Sequence, residues 1–155
     1  MRILGDLLAS GAVHANLAVP TKKALFQHLG QVAAAEYGLD EALVAEKLTE
    51  RERLGSTGFG NGVAIPHGRI EGLNHIVGVF AHLAQPVDFD AVDDMPVDIV
   101  FCLLSPLDAG AEHLKGLAQV SRWLRDPAFV AKLRGAASHD AVVALFSALE
   151  TQVAA

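Results

Sequence analysis

The chain has one cysteine, Cys102, so it cannot close an internal disulfide, and a reducing compartment fits it. Cys102 lies inside an apolar run over residues 99–104, where it reads as a small buried hydrophobe rather than a reactive thiol. Long apolar stretches are also missing. Hydrophobic residues make up 52% of the chain, yet no run approaches the roughly 18–20 residues of a membrane helix. The first eight residues resemble a signal peptide only faintly, because Asp6 interrupts them and no cleavage site follows. A cytoplasmic protein without direct membrane insertion is expected. Basic residues are scarce, 12 against 18 acidic, for a net charge of −6. That balance argues against nucleic acid as a partner and suits a basic or neutral protein surface. There is no internal repeat, low-complexity tract or linker. A chain of 155 residues is expected to form one domain over 1–155, and it can bury roughly 68–70% of its unfolded surface without metal or disulfide.

What remains alternates between strand-like and helix-like segments, the pattern of an α/β fold. A short helix is expected at 3–9 and a strand near 12–18. Pro20 and Thr21 open a helix to Tyr37, and Gly38 ends it. Asp40 caps a second helix to Leu54. Residues 55–62 carry four glycines in eight positions and are read as irregular. A short strand at 63–65 leads into Pro66, His67 and Gly68. Runs 76–83 and 97–104 are nearly continuously apolar, as strands covered on both faces should be. Helices are expected from Gly110 to Arg125, briefly after Asp126 and Pro127, and over 138–150. Together these predict a mixed β-sheet with helices packed on both faces, a three-layer α/β/α arrangement.

His67 carries the most chemical information. Pro66 pushes Ile65 toward an extended backbone, and Gly68 permits an unusual angle just after the histidine. The imidazole is thus expected at a strand end, where α/β sheets favour ligands. Neutral imidazole is a competent nucleophile for phosphorus. Taken alone, His67 could equally be an ordinary loop histidine. His113 leads the apolar stripe of Leu117, Val120 and Leu124 in the first turn of its helix, whose N-terminus favours phosphate. A satisfied core-edge histidine is the alternative there. Arg51 extends the face of Val44 and Leu48, and its planar fork suits phosphate oxygens or a structural carboxylate. Gly58, Gly60, Asn61 and Gly62 are expected to bring backbone N–H groups to an anion, unless they form only a flexible turn. The loop is neither a Walker A loop nor a dinucleotide fingerprint, since no Gly-Lys-Ser/Thr follows and Val63 occupies the third glycine position.

The continuous stretch from Arg51 through Gly-Ser-Thr-Gly-Phe-Gly-Asn-Gly (residues 55–62) to Pro66, His67, Gly68 and Arg69 resembles the signature of enzyme IIA of the fructose/mannitol class of the sugar phosphotransferase system. In a free-standing chain, that glycine pattern looks most like the nitrogen-regulatory branch. Phe89-Asp90, Pro96-Val97-Asp98 and His113-Leu114 continue the likeness over nearly the whole chain, and Phe59 and Arg69 stand as conservative variants. The resemblance implies that His67 accepts a phosphoryl group on Nε2 from a histidine phosphocarrier protein, with His113 and Arg51 assisting. No cofactor is expected, and no metal is required in principle, because such a donor already carries an activated group. The resemblance also implies control of targets such as potassium-transport proteins or sensor kinases by phosphorylation state. His14, His28, His75, His82 and His139 lie outside the pattern and receive no role.

Other readings lead elsewhere. A sugar-transport IIA component would hand the phosphoryl group to a IIB partner, although no fused IIB or membrane segment is expected from these 155 residues. A binding module would be indifferent to His67→Ala. A metal hydrolase is suggested by seven histidines and by Asp88, Asp90, Asp93, Asp94 and Asp98, yet no His-Glu-x-x-His or calcium-loop spacing is present. The acidic run reads as a solvated turn.

Overall fold

Three helices in this chain begin at a side chain that the sequence places one residue before them. Thr21 Oγ1 accepts the Ala24 N–H at 3.0 Å and opens α1 (Lys22–Tyr37). Gly38 closes it with a left-handed φ of 68° and an N–H directed at the Ala33 and Ala34 carbonyls. Asp40 Oδ1 accepts from Leu43 N at 3.0 Å and opens α2 (Glu41–Arg53). Arg51 and Arg53 fall in its last turn, where the helix dipole favours cations. Asp126 caps α4 (Pro127–Gly135), with Pro127 at the first helical position. α3 (Gly110–Leu124) and α5 (His139–Ala154) complete the helices of the computed structural model, which describes residues 2–154.

Among the described residues the strands form one six-stranded mixed sheet. Its centre is the antiparallel pair β5 (Val77–Val87) and β6 (Val97–Ser105), in register at Phe80 and Phe101. β1 (Val13–Leu17) lies parallel to β5 on the outer edge. The other side of β6 carries two short parallel strands in succession, β3 (Val63–Ala64) and β4 (His67–Arg69). β2 (Gly58–Gly60) runs antiparallel to β3.

One sheet face packs Val79, Ala81, Val100 and Leu104 against Leu25, Leu29, Val44 and Leu48 of α1 and α2. The opposite face packs Phe80, Ile99, Phe101 and Leu103 against Val120, Trp123, Phe129 and Phe146 of α3, α4 and α5. Phe146 meets Phe80, Phe101 and Phe129 edge-on, with ring centroids 5.2, 6.0 and 5.7 Å away. Helices therefore cover both faces of a mixed sheet, as the alternation of apolar runs and periodic segments requires. Cys102 is wholly buried, and burial pushes its thiol well above the usual range.

Three local expectations are corrected. Residues 3–9 form a reversed turn instead of a helix. Gly5 takes φ 96°, its N–H donates to Leu8 O at 2.9 Å, and Asp6 Oδ2 accepts from Arg2 N at 2.9 Å. Ile3, Leu7 and Leu8 are nonetheless buried. The glycine-rich stretch is partly regular, because Asn61 (φ 58°) and Gly62 (φ 78°) supply the two positive angles that a tight hairpin turn between β2 and β3 needs. Finally, the strand expected over 63–65 stops at Ala64, and after Ile65 and Pro66 His67 stands at the start of a further short strand, β4.

Candidate functional site

Strand β4 places the first imidazole. His67 pairs in register with Leu103, and the preceding carbonyl, Pro66 O, accepts from Leu103 N at 2.9 Å. The side chain curls back so that Nδ1 lies 2.9 Å from Ile65 O. A carbonyl can only accept, so Nδ1 carries the ring proton and Nε2 keeps a lone pair. Arg51 agrees with this assignment, since its Nε donates to His67 Nε2 at 3.3 Å. The same guanidinium donates from Nη1 to Gly55 O at 2.9 Å, so the end of α2 and the turn after it hold the fork in place.

Helix α3 places the second imidazole. His113 is buried, and its ring centroid lies 5.6 Å from that of His67. Its Nδ1 meets the hydroxyl of Ser105, the last residue of β6, at 2.6 Å. Gly116, one turn further along α3, lets the helix approach Leu103, to which an added Cβ would come within 3.3 Å. Leu103 thus supports both sides of the site: its backbone pairs with His67 and its side chain meets the helix that carries His113.

Burial, the largest influence, lowers the pKa of both rings. For His67 the Arg51 charge lowers it further, while the Ile65 carbonyl and Glu52 oppose. For His113, His67 and Arg69 act in the same direction as burial. Two neutral imidazoles beside a guanidinium are thus the resting state near neutral pH. Such a site can receive an electrophilic, negatively charged group on His67 Nε2 and surround it with donors.

Glu52 supports Arg51 from below. Its side chain, only 6% exposed, accepts from Thr57 N at 2.9 Å and Thr57 Oγ1 at 2.6 Å, and pairs with Lys22 Nζ at 3.2 Å. This fixes the turn whose Gly55 carbonyl anchors the guanidinium.

The structure brings His67, His113 and Arg51 together. It does not bring the hairpin residues to them. Val63 pairs with Ile99 and His67 with Leu103, so the two points lie four residues apart along β6, roughly 13 Å. Asn61 N donates to Asp93 Oδ2 at 3.0 Å, Gly60 faces Asp93, and Gly62 faces Arg134 and Asp98. Gly58 N donates to Ser56 Oγ at 3.1 Å. The expected anion cradle of Gly58, Gly60, Asn61 and Gly62 is therefore not assembled around His67: the Asn61-Gly62 turn directs Gly60, Asn61 and Gly62 toward Asp93 and Asp98, and Gly58 faces Ala91. Sequence reasoning also passed over Ser105 and Glu52. Ser105 did carry a signal: it is the polar residue that closes the apolar run of β6.

Exposed leucines border the site in sequence and charged side chains border it in space, with Arg51 on His67 and Arg69 close enough to act on His113. Leu54, Leu107 and Leu114 are exposed, and each lies within three residues of Arg51, Ser105 or His113. Among the described residues there is no helix long and apolar enough to cross a membrane, and no group of three His, Cys, Asp or Glu side chains arranged to hold a metal ion.

Residues 6–148 match the family model described as phosphoenolpyruvate-dependent sugar phosphotransferase system, EIIA 2. A nitrogen regulatory protein of Bradyrhizobium diazoefficiens is 49% identical over 144 residues, covering 93% of this chain and 92% of the relative. A nitrogen regulatory protein of Escherichia coli is 38% identical over 138 residues, covering 88% and 85%. Among solved structures, the nitrogen regulatory protein IIA-Ntr of Neisseria meningitidis superposes with a TM-score of 0.84 at 38% identity, covering 90% of this chain and 96% of that one. IIA mannitol of Escherichia coli shares the fold, with a TM-score of 0.74 at 20% identity, covering 89% and 97%.

Proposed function

The chain belongs to the phosphoenolpyruvate-dependent sugar phosphotransferase system EIIA 2 family, and on that premise we propose that it is a regulatory phosphoryl carrier that takes a phosphoryl group onto His67 Nε2. The observation that carries the reading is the state of that ring. Nδ1–H is held by Ile65 O, and the Nε2 lone pair faces a guanidinium.

Transfer from a phosphohistidine donor balances without metal or cofactor. The donor's N–P bond breaks while the Nε2–P bond of His67 forms. The donor ring, protonated on its other nitrogen, leaves as neutral imidazole. His67 keeps its Nδ1 proton against Ile65 O and becomes a phosphorylated imidazolium. The chain's task is then positioning and charge stabilisation, the main requirements of phosphoryl transfer. Arg51 and His113 flank the arriving group. Leu54, Leu107 and Leu114 offer the exposed apolar surface that a protein donor would cover. The donor in this reading is a histidine phosphocarrier protein, and the setting is the cytoplasm.

The regulatory part follows from charge. Phosphorylation adds about −1.5 to −2 charges beside that apolar surface. A target that binds the bare leucines is then repelled or displaced. Potassium-transport proteins and sensor kinases are the target classes that the nitrogen-regulatory likeness suggests.

The test is incubation with phosphoenolpyruvate, enzyme I and the phosphocarrier. The intact mass should rise by one phosphoryl group, mapped to His67 Nε2 by nitrogen–phosphorus coupling. No gain in the wild-type protein would overturn the reading. Onward transfer to a purified sugar-specific IIB at donor-like rates would instead make the chain a sugar-transport component.

A further inference from the structure

Ser105 ends β6 with no exposed surface, and its carbonyl is already taken by Ile70 N at 2.8 Å. Its hydroxyl has one hydrogen-bond partner among the described residues, His113 Nδ1. A serine hydroxyl always carries a proton to donate, and a buried donor without an acceptor is unfavourable. Were Nδ1 protonated, both groups would bring a proton to the same 2.6 Å gap, and the hydroxyl proton would have nowhere to go. With Nδ1 bare, the hydroxyl donates to it and the pair is satisfied. The His113 proton must then sit on Nε2.

We propose that Ser105 is a positioning residue that locks His113 in the Nε2–H tautomer, opposite to that of His67, so that one ring offers a lone pair and the other a hydrogen-bond donor to the same phosphoryl group. The two assignments rest on different partners. Ile65 O fixes His67 because a carbonyl cannot donate, and the Ser105 hydroxyl fixes His113 because it has no other acceptor among the described residues. Both rings are neutral in the resting state, so each has one proton to place, and the two locks place them on unlike nitrogens. A phosphoryl group on His67 Nε2 would then meet a preset N–H from His113, with no tautomer exchange needed during transfer. The functional half of this inference rests on His67 being the phosphoryl acceptor, but the tautomer half does not.

The two halves separate in one experiment. In the unphosphorylated protein labelled with nitrogen-15, His113 should show a protonated, pyrrole-like Nε2 and a bare, pyridine-like Nδ1, with His67 the reverse. In Ser105→Ala the His113 signals should move toward a tautomer mixture while those of His67 stay in place. Phosphoryl acceptance should slow about 10- to 100-fold, the range in which loss of a partner orienting an imidazole is felt. Ser105→Thr, which restores the hydroxyl, should recover the wild-type His113 signature and most of the rate. A protonated Nδ1 on wild-type His113 would overturn the assignment, and the wild-type spectrum decides this even if Ser105→Ala fails to fold. Unchanged His113 tautomer and unchanged rate in a folded Ser105→Ala would overturn the positioning role. If the wild type never accepts a phosphoryl group, the carrier reading fails, whereas the tautomer assignment is judged by the nitrogen spectrum alone.

Discussion

Arg51 Nε stands 3.3 Å from His67 Nε2, on the one ring nitrogen left with a lone pair. If His67 is the acceptor, as proposed, the guanidinium shields its lone pair before transfer and can follow the charge afterwards, because Nη1 is anchored on Gly55 O. Removing it should slow acceptance on the order of 10²-fold, comparable with loss of one preorganised donor. Arg51→Lys should recover little, since an ammonium lacks the fork needed to touch Gly55 O and a phosphoryl oxygen together. The initial rate of phosphoryl gain, compared at matched folded fraction, checks this. A wild-type rate in Arg51→Ala would remove Arg51 from the site.

The pH response has a definite sign. Burial lowers the pKa of His67, so the ring stays neutral and nucleophilic to below its ordinary value of 6.5. Acceptance should be flat from pH 8 to about 6.5 and decline only at lower pH. A decline that already begins above pH 7 would mean that the ring is not held neutral.

The same burial makes stability acid-sensitive. His14, His28, His67 and His113 all have lowered pKa, with desolvation first among the causes. Below about pH 6.5 the unfolded chain takes up protons that the folded chain resists, so stability is full above that value and lost as pH falls toward the folded pKa values. His139 acts in the opposite direction, since Ser10 O raises its pKa, but it is exposed and screened. Denaturant midpoints measured from pH 8 to 5 should fall on the acid side, and a rising midpoint would contradict the assignment.

How far the sequence could be read depended on whether the signal was local. Thr21, Gly38, Asp40, Asp126 and the apolar runs of β5 and β6 each act within a few residues, and the fold follows from them. His67, Arg51 and His113 were legible as residue types on particular faces. The glycine stretch misled because several glycines together suggest an open loop, whereas the decisive pair, Asn61-Gly62, demands a hairpin. The hairpin's destination depends on Asp93, Asp98 and Arg134, which lie more than 30 residues away in sequence. Ser105 could be read only as the polar end of an apolar strand; that His113 sits over it depends on how α3 folds back onto β6.

Gly62→Ala tests the relocated hairpin. Gly62 has φ 78°, and an added Cβ would come within 2.9 Å of Asp98 Oδ1 and also collide with the Arg134 guanidinium. A loss of about 1–3 kcal/mol is expected from the backbone strain alone, read as a lower denaturation midpoint. The rate of phosphoryl acceptance per folded molecule should stay near wild type. A selective loss of rate with stability preserved would return the glycines to the phosphate site.

Cys102 should be inert in the native protein. It has no exposed surface, and burial holds it in the thiol form. A thiol reagent in excess should label it only at the rate of global unfolding, and denaturant should accelerate labelling in step with the loss of structure. Rapid labelling under native conditions would mean that the central strands open far more readily than this packing allows.

Strand β6 bears on the tolerance of the whole molecule. Leu103 grips the segment that presents one imidazole, and Ser105, two positions on, grips the other. The spacing between the rings is thus borrowed from the most interior strand, not from the periphery. Mutational drift in α5, in the opening turn or in the acidic turn between β5 and β6 can thin the population of working molecules while leaving each survivor chemically unaltered, so inherited variation at this protein's margins should change dosage before it changes quality.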